Sequence, residues 1–292
     1  MKRKNNRTFA ALVGLTTVLA TTGCGERTHN DDSVYTNIRL EEVAHLTPED
    51  KTSPYLDLVI DYGFFTEYEG DSVVMKINRR IQQELLGDSY NALPPEEAVD
   101  SFKNDRIREY RTEMKELCAA DSFDIHQTDS LSADSPYPAW YNQTYSLVTI
   151  IDEGRTGIVT VCADTFMDTG GAHPNQWSRW MNFRYSDGSL ITAEEAFPAA
   201  THEGLKQLLL AALIRQQAEA HPEEEIKTLE NLQSRGILCF TEMYIPQNFL
   251  LGKETVGFLF NRYDIAPYSE GSIVLEVPYK NLEPYLNSKL WN

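Results

Sequence analysis

The chain has 292 residues, of which 24% are charged and 41% apolar, and its 44 Asp and Glu outnumber 26 Lys and Arg to give a formal net charge of -18. That length suffices for one large or two ordinary domains with real cores. The charge argues against nucleic acid as a partner, because a phosphate backbone needs a basic patch and none follows the first seven residues.

Lys2, Arg3, Lys4 and Arg7 precede an apolar run from Phe9 to Ala20, which ends in Thr21-Thr22-Gly23-Cys24. A basic start, an apolar stretch too short to span a bilayer comfortably and small residues at the cut are the pattern of an export signal. With a Cys directly after Gly23, the segment resembles the lipobox of bacterial lipoproteins, although Thr21 stands where a Leu is usual. The expectation is a lipoprotein signal peptide over 1–23, acylation at Cys24 and a polar tether over 24–34. An ordinary signal peptide with a chance Cys is the alternative. Cleavage would leave 22 basic against 44 acidic residues. Such a chain is repelled by anionic lipid, so membrane association would come from acyl chains on Cys24 and place the protein in the bacterial cell envelope. Apart from Cys24, only Cys118, Cys162 and Cys239 remain. At most one bridge can form, and Cys162 and Cys239 read as buried small hydrophobes.

Along the chain, Leu56–Phe65 reads as a strand and Asp71–Leu86 as a helix, with Val74, Ile77, Ile81 and Leu85 on one face and Gly87 as its cap. A second amphipathic helix is expected from Pro95 to Ala120, its apolar face including Ala98, Phe102, Ile107, Tyr110, Met114 and Leu117. Residues 121–138 read as a loop. Trp140–Asp152 and Gly157–Phe166 alternate at period two about Glu153-Gly154, a hairpin signature. After a glycine-rich turn at Asp168–Pro174 comes a strand, Trp177–Tyr185, then a turn at Asp187-Gly188. Helices follow at Glu203–Ala220 and Glu223–Gln233, and strands at Leu238–Ile245, Phe249–Leu251, Val256–Phe260 and Ser272–Val277. The fold class is α+β, helices packed on antiparallel sheets, in a two-part module divided into 35–135 and 136–292.

Three stretches carry a resemblance: Gly170-Gly171-Ala172-His173-Pro174-Asn175; Tyr185-Ser186-Asp187-Gly188-Ser189-Leu190; and a long cassette running from Asn248-Phe249 through Gly257-Phe258-Leu259-Phe260-Asn261 to Tyr263-Asp264-Ile265-Ala266-Pro267-Tyr268 and Gly271. Together they resemble the extracellular module shared by the lysozyme-sensing anti-sigma factor RsiV and the PdaC-type peptidoglycan deacetylases. The similarity spans roughly residues 35–285 and is strongest after Asp164. It implies a two-part α+β module that binds lysozyme-like proteins or lies beside peptidoglycan. Fewer than ten residues precede the apolar run, so no sigma-binding domain is expected, and no catalytic deacetylase domain is expected after the module.

No HExxH, GxSxG, P-loop or CxxC motif occurs, and the six His residues show no pair at ligand spacing on one helix. Neither a metal nor a cofactor is expected, and a non-enzymatic binding module is the leading expectation. The alternatives are a hydrolase of envelope glycans built on the 164–175 turn, or a structural envelope lipoprotein without a soluble ligand. In that turn Asp164, Asp168, His173 and Asn175 surround two glycines. They could form an acid/base or ligand set, or simply satisfy the turn's own backbone. Arg262, Tyr263, Asp264 and Tyr268 flank Pro267 in a segment that could recognise a ligand or plug the end of a sheet. Trp177 could stack on sugar rings, but Trp180, three residues on, should face the other side of the strand. The runs Glu96-Glu97, Glu194-Glu195 and Glu223-Glu224-Glu225 read as helix N-terminal charges that also build an acidic field attractive to a basic protein.

Overall fold

The computed structural model describes residues 35–66, 72–120 and 137–290. The expected signal peptide, Cys24, the tether and most of the 121–138 loop lie outside the described residues. Among the described residues eight strands form two sheets, one of five in the order β1-β2-β3-β4-β5 and one of three in the order β6-β7-β8, accompanied by six α-helices.

The larger sheet comprises β1 (Tyr35–His45), β2 (Tyr55–Phe65), β3 (Gln143–Glu153), β4 (Ile158–Asp168) and β5 (Asn175–Arg184). The sequence reading names no strand before Leu56. Edge strand β1 supplies one, its alternation masked by Asn37, Arg39, Glu41 and Glu42. Such charges blunt an edge that would otherwise invite pairing. All pairs are antiparallel except β2 with β3, which run parallel. Two helices, α1 (Ser72–Leu85) and α2 (Pro95–Ala120), lie in the connection between them, and parallel neighbours need such a crossover. The expected α+β class with antiparallel-rich sheets is what the chain forms, with this one parallel pair within the larger sheet.

Alternate residues of β2 and β3, among them Leu58, Ile60, Tyr62 and Leu147, face the buried sides of α1 and α2 in the first core. Asn78 of α1 clamps the end of β2, accepting from the Phe65 amide at 2.9 Å and donating to the Phe65 carbonyl at 2.8 Å. Gly87 takes φ 113° just after α1, a left-sided conformation that glycine adopts without a Cβ penalty. On α2, Leu117 is exposed, contrary to its place on the expected apolar face.

The smaller sheet comprises β6 (Phe249–Leu251), β7 (Thr255–Phe260) and β8 (Ile273–Pro278), all antiparallel. It forms the second core with α3 (Ala193–Ala196), α4 (His202–Ala220), α5 (Leu229–Ser234) and α6 (Tyr279–Leu282). Phe197 centres it, its ring 5.2 Å from Phe249 and 5.4 Å from Phe258. The helix expected over Glu223–Gln233 begins only at Leu229, because Thr228 and Asn231 form a capping box that fixes the start there. The Glu223-Glu224-Glu225 run therefore lies in a turn. The strand expected over Leu238–Ile245 is absent: Gly236 and Leu238 both take positive φ, and only the Leu238 amide bonds across, to the Ile265 carbonyl at 2.7 Å. The same irregular path turns Cys239 outward, correcting its reading as buried, and Cys118, Cys162 and Cys239 form no disulfide. Burial pushes the Cys162 thiol up to about 12.

The expected boundary at 135/136 does not divide the cores, since β3–β5 complete the sheet begun by β1 and β2. The described residues, all after Val34, belong to one compact unit. No helix among the described residues is long and apolar enough to cross a membrane.

Candidate functional site

β5 is an edge of the larger sheet, and its outward backbone groups need partners. Asparagine side chains supply them. Asn248 Oδ1 accepts from the Trp180 amide at 3.2 Å, Asn261 Oδ1 accepts from the Ser178 amide at 2.8 Å, and both Nδ2 groups donate to the Ser178 carbonyl at 3.1 and 3.0 Å. From the other side, buried Asn182 donates to the Phe249 carbonyl at 2.8 Å and accepts from the Leu251 amide at 2.7 Å. Trp180 packs its ring against Gly257, where an added Cβ would meet it at 3.0 Å. Asn248, Gly257 and Asn261 all belong to the long sequence cassette, and here they join the two sheets.

Immediately beyond Asn261 the chain turns outward. Asp264 Oδ2 accepts from the Asn261 amide at 2.7 Å, and the Asp264 amide donates to the Asn261 carbonyl at 3.0 Å, closing a tight turn. Tyr263 sits at its tip with φ 69° and 65% exposure. A bulky side chain in the left-handed region is a genuine backbone outlier, held by its surroundings, and such strain concentrates at functional positions. Ile265 and Ala266 then dive into the second core, and Tyr268 returns to the surface half-buried.

The two candidate loops meet at Tyr268. The His173 ring stacks on it at 4.6 Å and 17°, the Arg262 guanidinium lies 4.4 Å from its centroid, and the Tyr263 ring is 5.7 Å away. The Tyr268 hydroxyl donates to the Pro174 carbonyl at 3.4 Å, tying the glycine-rich turn to the cassette. A cation over an aromatic face, beside a second exposed ring, makes a surface suited to polar and aromatic recognition.

The remaining expected residues are placed differently. Asp168 accepts from the Gly170 amide at 2.9 Å, and Gly170 itself is required, with φ 76° and the Trp140 backbone where a Cβ would go. Asp164 accepts from the Ser178 hydroxyl. Asn175 opens β5 and is exposed. Trp177 belongs to the helix side of the sheet, as does Arg179, whose Nε donates to Glu84 of α1 at 3.0 Å, whereas Trp180 faces the smaller sheet. Asp264 is itself exposed, yet its carboxylate lies close enough to Tyr244 that burial first and then this charge push the phenol up to about 12.

Two features escape the sequence reading. Ligand atoms of His221, Glu223 and Glu224 lie within 4.8 Å of one another. Arg235 is already among them, donating to Glu224 at 2.5 Å and lying 2.9 Å from His221 Nε2, so the group is an ion-paired knot. Its members are separated by turns, and no motif spacing announces them. Two shallow grooves of about 220 and 290 Å³ run along α4, share Lys206 and include none of the expected site residues.

The geometry defines an α+β module of two sheets joined by asparagine side chains, with its candidate site on the surface. Residues 201–280 match the family model described as "Protein of unknown function (DUF3298)", the module shared by RsiV- and PdaC-like proteins. Among solved structures it is similar to a DUF3298 family member from Bacteroides fragilis, at TM-score 0.74 and 22% identity over 87% of this chain and 93% of that one. It is also similar to a DUF3298 family protein from Pseudomonas aeruginosa, at TM-score 0.58 and 16% identity over 88% and 96% of the two chains. These likenesses establish the fold. A search of curated proteins found no match.

Proposed function

We propose that this chain is an exported, non-enzymatic binding module, anchored in the cell envelope through acylated Cys24, that takes a basic lysozyme-like protein or peptidoglycan at its 168–177 and 261–271 loops. One observation carries the reading: segments some ninety residues apart converge on Tyr268, where His173 stacks and Arg262 lies over the ring, while Tyr263 is held outward in a strained conformation. Central aromatic and Arg side chains dominate binding energy at protein interfaces. The net charge of -18 would speed encounter with a basic partner. The carboxylates of the 164–175 turn hold their own surroundings, as a scaffold for recognition requires.

The test is calorimetric titration of the protein with a basic lysozyme at low and moderate salt, alongside a peptidoglycan pull-down. Saturable binding that survives moderate salt is expected, weakened about tenfold or more by Arg262→Ala with Tyr263→Ala. Binding that vanishes with salt, with no retention on peptidoglycan, would remove both ligands. Turnover of a glycan substrate that disappears in Asp168→Ala with His173→Ala would instead establish a hydrolase.

A further inference from the structure

The larger sheet has a second face. Its helix side is filled by α1 and α2, while on the opposite side, among the described residues, the smaller sheet covers the region around β5 and the start of β4. Register aligns the rest: Arg39 pairs with Asp61, Asp61 with Val148, and Val148 with Asp164, so one row crosses four strands on this side. On it Val59, Val148, Ile150 and Phe166 stand among Asp57, Asp61, Asp164 and Asp168. Val148 is 38% and Ile150 57% exposed.

A sheet face turned to water ordinarily carries polar residues of mixed sign. This one sets apolar side chains among like charges, with Asn37 donating to Asp61 at 2.6 Å. Among the described residues of the face the cation is Arg39, and Glu41 pairs with it at 2.6 Å. Register sets Asp61 and Asp164 on either side of Val148, two strand spacings or about 10 Å apart, so the face carries a spread negative field that attracts a cationic surface. A second copy would bring the same charges together, and anionic lipid is excluded on the same ground. The matching partner presents Lys or Arg interspersed with apolar side chains.

We infer that this face docks the cationic surface of a basic protein and extends the loop site into one continuous interface. Asp168 begins the 168–174 loop, and Ser178, which donates to Asp164, is bonded to Asn261 at the root of the Tyr263 turn. The identity of the partner rests on the reading proposed above, whereas the location does not.

The experiment titrates the full chain in a non-ionic detergent with a basic lysozyme and compares four double variants. Asp57→Asn with Asp61→Asn removes two charges from the face; Glu254→Gln with Glu276→Gln removes one from the turn before β7 and one from β8. Val148→Thr with Ile150→Thr keeps the charge and the strand propensity but removes apolar surface, and Arg262→Ala with Tyr263→Ala tests the loops. The face variants should each weaken binding about tenfold, and the distant pair less than about twofold. Equal losses from the two charge pairs, no loss from the Thr pair, or no saturable binding by the unaltered chain would overturn the inference. Loss in the loop variant alone would leave the loop site standing without the face. Loss in the face variants alone would do the reverse. Should the Asn pair fail to fold, the Thr pair still decides.

Discussion

Asn261 and Tyr263 are two residues apart in one cassette and do opposite things. Asn261 spends its amide on the Ser178 backbone, closing the seam between the sheets. Tyr263 faces water with a backbone conformation that costs energy. A long sequence motif thus contains both the reason the fold holds and the surface the fold displays. Resemblance through such a motif supports the scaffold more strongly than it supports the ligand.

The comparison breaks most visibly at the seam. Replacing Asn182 with Ala orphans the Phe249 carbonyl and the Leu251 amide in a buried setting, and each unsatisfied group costs about 1–3 kcal/mol. A loss of roughly 3 kcal/mol in urea denaturation is expected. A change under about 1 kcal/mol would mean that the sheets are held by apolar packing alone.

Tyr263 should respond in the opposite sense. In the left-handed region a non-glycine residue costs about 1–2 kcal/mol, so Tyr263→Gly should raise stability by about 1 kcal/mol while weakening lysozyme binding. Gain in stability with unchanged binding would identify the outlier as incidental. Loss of stability would mean that the ring packing at Tyr268 outweighs the strain.

The sequence made the scaffold largely readable because its signals are local. Val74, Ile77 and Ile81 at helical spacing, and alternation from Gln143 to Asp168 about a glycine turn, report burial directly. Where long-range contacts decide, the reading departs from the structure. Strand β1 carries charges at an edge, the parallel β2–β3 pair depends on how two helices cross over, and the Leu238–Ile245 run has strand composition but a backbone bent by positive φ. The candidate site was half legible. Its glycines and aromatics marked two loops, yet their meeting at Tyr268 is set by Asn248 and Asn261 some seventy to eighty residues from β5 in sequence, and the second face of the sheet emerges only from register.

Asp264 sharpens the comparison at its smallest scale, since it touches both regions. Its Oδ2 holds the Asn261 amide, and its charge sits beside Tyr244, whose phenol is pushed up to about 12 first by burial and then by this carboxylate. A raised phenol favours the folded state while protonated, so that contribution is intact below the ordinary tyrosine value near 10 and fades as pH climbs toward 12. Asp264→Asn removes the negative neighbour but leaves the burial. The ultraviolet titration of Tyr244, obtained by difference against Tyr244→Phe, should therefore move down yet stay above an exposed tyrosine. The alkaline loss of stability should still begin near pH 10, where the unfolded phenol ionises, but level off sooner and be smaller. An unchanged midpoint would mean that water screens the carboxylate from the ring, and the turn that displays Tyr263 would then be electrostatically separate from the core beneath it.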